Sequence, residues 1–143
     1  MESTLLTIKG IKVIYPSNAA DMKGLLKAAF LDPNPVVMLE HKGLYWSKVP
    51  GTDDAKTTEP SRDYIIPLGK GKVVLTADDD IVDSGGSCCV ITYGMGVYWA
   101  KAAAKNFPGQ VEVVDLRTLF PLDEALVFAT VKKHGKCLVL TEE

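Results

Sequence analysis

The chain has 143 residues, 47% hydrophobic and 24% charged, with a formal net charge of −2 and a pI near 5.7. Those fractions are those of an average globular domain and exclude wholesale disorder. The balance also argues against a nucleic-acid module, which normally carries a basic patch. The longest apolar runs, Val36–Leu39 and Cys137–Leu140, fall far short of the ~20 residues that cross a bilayer. Length alone points to one domain, since domains commonly hold roughly 100–150 residues. Met1–Lys9 lacks the basic start, apolar stretch and small-residue cleavage site of a secretory signal. Cys88, Cys89 and Cys137 include no Cys-x-x-Cys pair, and Cys88 and Cys89 point to opposite faces of one strand-like run. They read as small buried hydrophobes in a reducing compartment, and a cytoplasmic location is expected.

Along the chain, Ile11–Tyr15 reads as a strand stopped by Pro16-Ser17-Asn18. A helix is expected over Ala19–Leu31, with Asn18 as N-cap and Asp21 three residues on. Its apolar face would hold Met22, Leu25, Leu26, Ala29 and Phe30. Asp32-Pro33-Asn34-Pro35 ends it, and Val36–Glu40 follows as a second, buried strand. The seventeen residues Ser47–Asp63 are polar with few apolar positions, and a loop of that length is either functional or a linker. Beyond it, Lys72–Thr76 and Cys88–Tyr93 read as strands separated by the polar loop Ala77–Ser87. Gly94-Met95-Gly96 opens a helix to about Asn106, with Val97, Ala100, Lys101 and Ala104 at helical spacing. Val111–Leu116 is a strand, Arg117–Leu122 a loop, and Asp123 begins a helix that ends near His134 with Gly135 as its stop. Cys137–Thr141 is a last strand. The alternation predicts an α/β fold with a mostly parallel sheet between two helical layers. Such a sheet needs cover on both faces, so both ends of the chain read as cut edges of a larger unit.

Four segments are candidate sites. Gly94-Met-Gly96 carries two glycines of a dinucleotide-binding G-x-G-x-x-G, but Trp99 stands at the third position. A tight strand-to-helix turn is therefore favoured over a stand-alone nucleotide-binding module. Glu40-His41-Lys42 sits at a strand's C-terminal end, where α/β proteins bind ligands. Glu and His can act as acid and base, but sequence neighbours usually point apart, and His41 is a weak candidate. Asp115-Leu116-Arg117-Thr118 is also at a strand end, where an Asp–Arg pair would fix the loop or, alternatively, make an interface or ligand contact. At Ala29–Pro35, carbonyls of the last helical turn lack partners and prolines add no donors. Clustered oxygens at a helix C-terminus suit a hard cation, with a plain helix-stop turn as the alternative.

Several segments taken together resemble one family. They are Gly10–Asn18, Asp21–Ala29, Asp32–Pro35, Leu39-Glu-His-Lys42, Leu44-Tyr45, Ile66–Gly69, Val90–Gly94 and above all Asp115-Leu-Arg-Thr-Leu-Phe-Pro-Leu-Asp123. The chain resembles the beta subunit of the thiamine-diphosphate-dependent decarboxylating component of 2-oxoacid dehydrogenases, over nearly its whole length. The resemblance implies a pyrimidine-binding-domain tail over residues 1–60 and part of a transketolase C-terminal-like domain over 61–143. It implies oxidative decarboxylation of a 2-oxo acid, branched-chain before pyruvate, with acyl transfer to a lipoyl group. It also implies thiamine diphosphate and Mg²⁺ in the complete enzyme, and a structural K⁺ at positions matching Ala29, Asp32 and Asn34. The implied partners are an alpha subunit or alpha-like half, a second beta half and a lipoyl acyltransferase, with neither nucleic acid nor membrane. The pyrimidine-activating glutamate and the active-site histidine of that family match nothing in this chain, so no catalytic residue is expected in it. Transketolase, deoxyxylulose-phosphate synthase and a non-catalytic assembly module are the alternatives.

Overall fold

The computed structural model describes residues 1–46 and 48–142. Its first sheet has strands β1 (Lys12–Ile14), β2 (Val36–Met38) and β6 (Thr118–Phe120), in the order β2-β1-β6. β1 and β2 are parallel, and β6 runs antiparallel to β1. The second sheet has the order β3-β5-β4-β7, built from β3 (Lys72–Leu75), β4 (Cys88–Thr92), β5 (Val111–Asp115) and β7 (Cys137–Val139). β4, β5 and β7 are parallel, and β3 is an antiparallel edge strand. The helices are α1 (Glu2–Leu6), α2 (Ala19–Leu31), α3 (Lys42–Tyr45), α4 (Asp79–Asp83), α5 (Gly96–Ala104) and α6 (Glu124–His134).

Local chemistry explains the long helices. Asn18 caps α2 by accepting the Asp21 N–H at 2.9 Å, and its amide donates back to the Asp21 carboxylate at 2.9 Å. The α6 N-cap Asp123 accepts the Leu126 N–H at 3.3 Å, and Gly135 closes that helix in the left-handed region at φ +65°. α5 and α6 cover opposite faces of the second sheet. Ala100 and Ala104 of α5 pack on Val90, Val111 and Val113, while Leu126, Val127 and Val131 of α6 pack on Cys89, Ile91 and Val114. Alternate residues of β4 therefore go to different helices, as a strand's period of two requires.

Several expectations are corrected. β3 is antiparallel, because the chain enters it from the long segment before residue 72 rather than from a crossover helix. β2 is half-buried, not buried, because it is the edge of a three-stranded sheet. The Arg117–Leu122 loop contains β6, and the Ala77–Ser87 loop contains α4. On α2 only Leu25 of the expected face is buried; Leu26 and Phe30 are exposed, Phe30 by 90%. The helix packs through the narrower line Asp21, Gly24 and Leu25. A Cβ at Gly24 would stand 2.8 Å from Ile66 Cγ1, so the residue's smallness lets the 64–66 segment close against α2. The 47–63 stretch is not a loose tether: Thr52 and Ala55 are buried around a 3-10 turn at Asp53–Ala55. Ser47, its first residue, lies outside the described residues.

Gly96 begins α5 against Thr92, whose hydroxyl donates to the Leu140 carbonyl at 2.8 Å. A Cβ there would sit 2.0 Å from Thr92 Oγ1. Gly96→Ala is expected to destabilise the fold by about 1–3 kcal/mol through overpacking, seen as a lower urea midpoint at unchanged slope.

Candidate functional site

The C-terminal ends of β1 and β5 meet in a buried polar seam. The Ser17 hydroxyl, just past β1, donates to Asp115 Oδ2 at 2.5 Å from 98 residues away. Arg117 reaches 96 residues back to Asp21 with two parallel bonds, Nε to Oδ2 and NH2 to Oδ1, each 2.8 Å. The Tyr98 hydroxyl of α5 donates to the Ser17 carbonyl at 2.7 Å. Ser17, Asp21, Asp115 and Arg117 are all buried. Arg117 adopts φ +58°, its N–H donates to Asp115 Oδ1 at 3.0 Å, and its carbonyl accepts the Tyr15 N–H at 2.8 Å. The left-handed turn at Arg117 thus redirects the chain out of the second sheet and into β6 of the first.

Burial pushes Asp115 up to about 6, against the Ser17 and Arg117 hydrogen bonds, which favour the carboxylate. The Arg117–Asp21 pair is bidentate and has the geometry that lets a buried pair hold. Every charged group of the seam has a partner within it, so it serves to position the chain.

A small cleft of about 130 Å³ lies beside the seam, at the ends of β1 and β2. Met22 and Leu44 line it, with Ser17, Asn18, Glu40 and His41 supplying its polar atoms. Glu40 and His41 point to different partners, as expected of sequence neighbours. Glu40 accepts the Tyr45 hydroxyl, which raises the Tyr45 pKa. His41 Nδ1 accepts the Gly43 N–H at 3.2 Å as the α3 cap, and Nε2 faces Glu142 Oε2 at 3.2 Å. With Nδ1 an acceptor, the ring proton sits on Nε2, towards Glu142. His41 is thus held between a helix cap and a carboxylate.

The remaining candidates divide. Gly94-Met-Gly96 is a tight turn with φ +54° at Gly94, beneath the Tyr15 ring. Trp99 faces outward at 42% exposure and so does not obstruct the turn. At the end of α2, the Asp32 N–H donates to the Ala29 carbonyl at 3.3 Å. Asp32 Oδ1 accepts the Asn34 N–H at 2.9 Å and the Asn34 amide at 3.0 Å. Lys12 Nζ lies 2.5 Å from Asp32 Oδ2, and that bond, ahead of the Asn34 ones, lowers the Asp32 pKa to about 2. Ala29, Asp32 and Asn34 are therefore brought together, with an ammonium already on the carboxylate.

Sequence reasoning did not find a second buried cluster, at the opposite end of the sheet. Ser87 Oγ is 2.7 Å from His134 Nδ1, and Glu112 Oε1 is 3.3 Å from His134 Nε2. Lys133 Nζ is 2.8 Å from Glu112 Oε2. Serine, histidine and acid in a row resemble a nucleophilic triad. Yet Ser87 is 1% exposed and the His134 side chain fully enclosed, so no substrate reaches either. The 3.3 Å approach at Nε2 lacks hydrogen-bond geometry. The cluster ties the end of α6 to the sheet.

Two outcomes are expected of the seam. Arg117→Ala, which strands the buried Asp21 carboxylate, should cost about 3–5 kcal/mol in denaturant unfolding. An acid whose pKa is higher folded than unfolded loses stability as pH rises between the two values. Asp115 therefore lowers stability between about pH 4 and pH 6. Relative to Asp115→Asn, the wild-type chain should lose about 3 kcal/mol across that interval.

Residues 1–47 match the transketolase pyrimidine-binding domain and residues 79–143 the transketolase C-terminal domain. The chain is 40% identical over 141 residues to the pyruvate dehydrogenase E1 component subunit beta of Rhizobium meliloti, covering 95% of this chain and 27% of that protein. It is 37% identical over 146 residues to the 2-oxoisovalerate dehydrogenase subunit beta of Bacillus subtilis, covering 100% of this chain and 40% of that protein. Among solved structures, a split-gene transketolase described as an inactive beta4 tetramer superposes with a TM-score of 0.65 at 21% identity, over 91% of this chain and 38% of the other. That likeness shows the α/β transketolase-type fold. The chain spans 27% and 40% of the length of these two curated relatives. It is homologous to the E1 beta subunits of 2-oxoacid dehydrogenases, with transketolase-type pyrimidine-binding and C-terminal segments.

Proposed function

We propose that the chain forms the junction of a thiamine-diphosphate-dependent 2-oxoacid dehydrogenase beta chain, joining the end of its pyrimidine-binding domain to the start of its C-terminal domain near residue 60. The observation that carries this reading is the seam. Ser17 and Asp21 fall in one matched segment, Asp115 and Arg117 in the other, and their bonds join the two. The stretch 48–78, which neither family model matches, is compatible with a boundary near residue 60. The whole enzyme would decarboxylate a 2-oxo acid and pass the acyl group to a lipoyl arm, and a cytoplasmic location goes with this reading.

Thiamine diphosphate, when bound, supplies the carbanion that attacks the 2-oxo group. The cleft beside the seam, at about 130 Å³, is smaller than the roughly 300–1,000 Å³ of small-molecule sites. Among the described residues no three His, Cys, Asp or Glu gather to hold a metal. No catalytic step is assigned to this chain, and in this reading the diphosphate and Mg²⁺ would be held by an alpha subunit or alpha-like half. A second beta half and a lipoyl acyltransferase complete the assembly. Leu26, Phe30 and Leu31, which α2 leaves exposed, favour a partner on that face. The oxygens of Ala29, Asp32 and Asn34 would suit a K⁺ by their hardness, once Lys12 yields the Asp32 carboxylate it now holds, with further ligands from outside this chain.

The decisive experiment replaces the matching segment of the Bacillus subtilis 2-oxoisovalerate dehydrogenase beta subunit with this chain. The chimera, assembled with its alpha subunit, should release CO₂ from branched-chain 2-oxo acids, while this chain alone releases none. A chimera that assembles but stays inactive with both branched-chain acids and pyruvate overturns the reading. For the cation, the chimera's thermal midpoint should be higher in KCl than in NaCl of equal strength, and Asp32→Ala should abolish the difference.

A further inference from the structure

The three cysteines have different surroundings. β4 and β7 pair in parallel with Cys89 opposite Cys137. Neighbouring strands run about 4.7–4.9 Å apart, inside the roughly 4.4–6.8 Å between Cα atoms that a disulfide bridges. Residues paired in register point to the same face, so the Cys89 and Cys137 side chains stand side by side, with the Cys89 thiol donating to the Lys136 carbonyl at 3.4 Å. Cys89 is fully buried beneath α6, while Cys137 is open to solvent on the sheet's edge. Burial first, then the adjacent Cys137 thiol, push Cys89 up to about 12, so it remains a thiol at neutral pH. Cys137 is the sulfur that a reagent meets first. Cys88 is displaced from both: it pairs with Val111 of β5 and packs on the opposite face, against the α5 side.

We propose that Cys89 and Cys137 form an oxidisable dithiol, whose oxidant is a peroxide and whose oxidised form is a disulfide joining β4 to β7. The Cys137 thiolate attacks one oxygen of hydrogen peroxide. An S–O bond forms, the O–O bond breaks, and the departing hydroxide takes up a proton as water. The Cys89 sulfur then attacks the Cys137 sulfur of the resulting sulfenic acid. The S–S bond forms, the S–O bond breaks, and hydroxide leaves with the Cys89 proton as a second water. Two thiols are oxidised by two electrons and one peroxide is reduced to two waters. The reluctance of Cys89 to ionise makes the second step the slower one, so the sulfenic acid at Cys137 lasts long enough to trap. The bridge clamps an edge strand whose residues are all exposed and which is otherwise hydrogen-bonded to β4.

The test treats the full chain with hydrogen peroxide and reads intact mass, fragment spectra and labelling by a sulfenic-acid-specific 1,3-dicarbonyl. The expected product is a chain about 2 Da lighter, two hydrogens lost, with Cys89 linked to Cys137 and full reversal by dithiothreitol. Cys88→Ser should retain the link. Cys89→Ser should lose it and show increased dicarbonyl labelling at Cys137. The proposal is overturned by a Cys88–Cys137 link, by a disulfide between chains through Cys137 as the main product, or by sulfinic acid at Cys137 with Cys89 untouched. The wild-type product decides among these even if a variant does not fold.

Discussion

The structure depends on one buried arginine. Arg117 leaves β5 in a left-handed turn, holds Asp21 with two bonds, and passes its carbonyl to Tyr15 beside β1. An unpaired guanidinium or carboxylate at this depth would cost several kcal/mol, and the bidentate geometry offsets that cost. The pair therefore fixes where β6 begins, and β6 is what joins the first sheet to the second half of the chain.

Asp115 and Ser17 add a different kind of constraint. Asp115 is fully buried beside charged neighbours, and burial raises its affinity for a proton. The Ser17 hydroxyl and the Arg117 N–H each answer one of its oxygens, which orients Asp115 at the end of β5. A polar network satisfied to this degree specifies one arrangement of the two sheets. It also explains why the adjacent cleft is small: the side chains that could have opened it are engaged with each other.

Much of the fold was legible locally. Asn18 and Asp21 marked the start of α2, Asp123 and Gly135 the ends of α6, and these rest on hydrogen bonds between near neighbours in the chain. The apolar face of α2 was drawn too wide, because helical spacing reports which residues could be buried and not how far a partner reaches. Leu26 and Phe30 share the stripe but remain exposed among the described residues. β6 was missed for a related reason: Thr118–Phe120 is short and becomes a strand only because β1 offers it an edge. At the site, Asp115 and Arg117 were singled out, but as candidates to bond each other. The partners 98 and 96 residues away leave no mark in local pattern.

The sequence by itself determined the α/β class, the family resemblance, and a composition within the range of ordinary globular domains, because these follow from local periodicity, caps and short motifs. The 143 residues that length alone would count as one domain divide into two sheets and two matched segments. Only the tertiary structure decided that the segments are tied through Arg117 and Asp21, that β3 runs antiparallel, and that Cys89 stands opposite Cys137 across β4 and β7. Those outcomes depend on burial and on contacts between distant parts of the chain, where the cost of leaving a charge or a strand edge unpaired selects the partner.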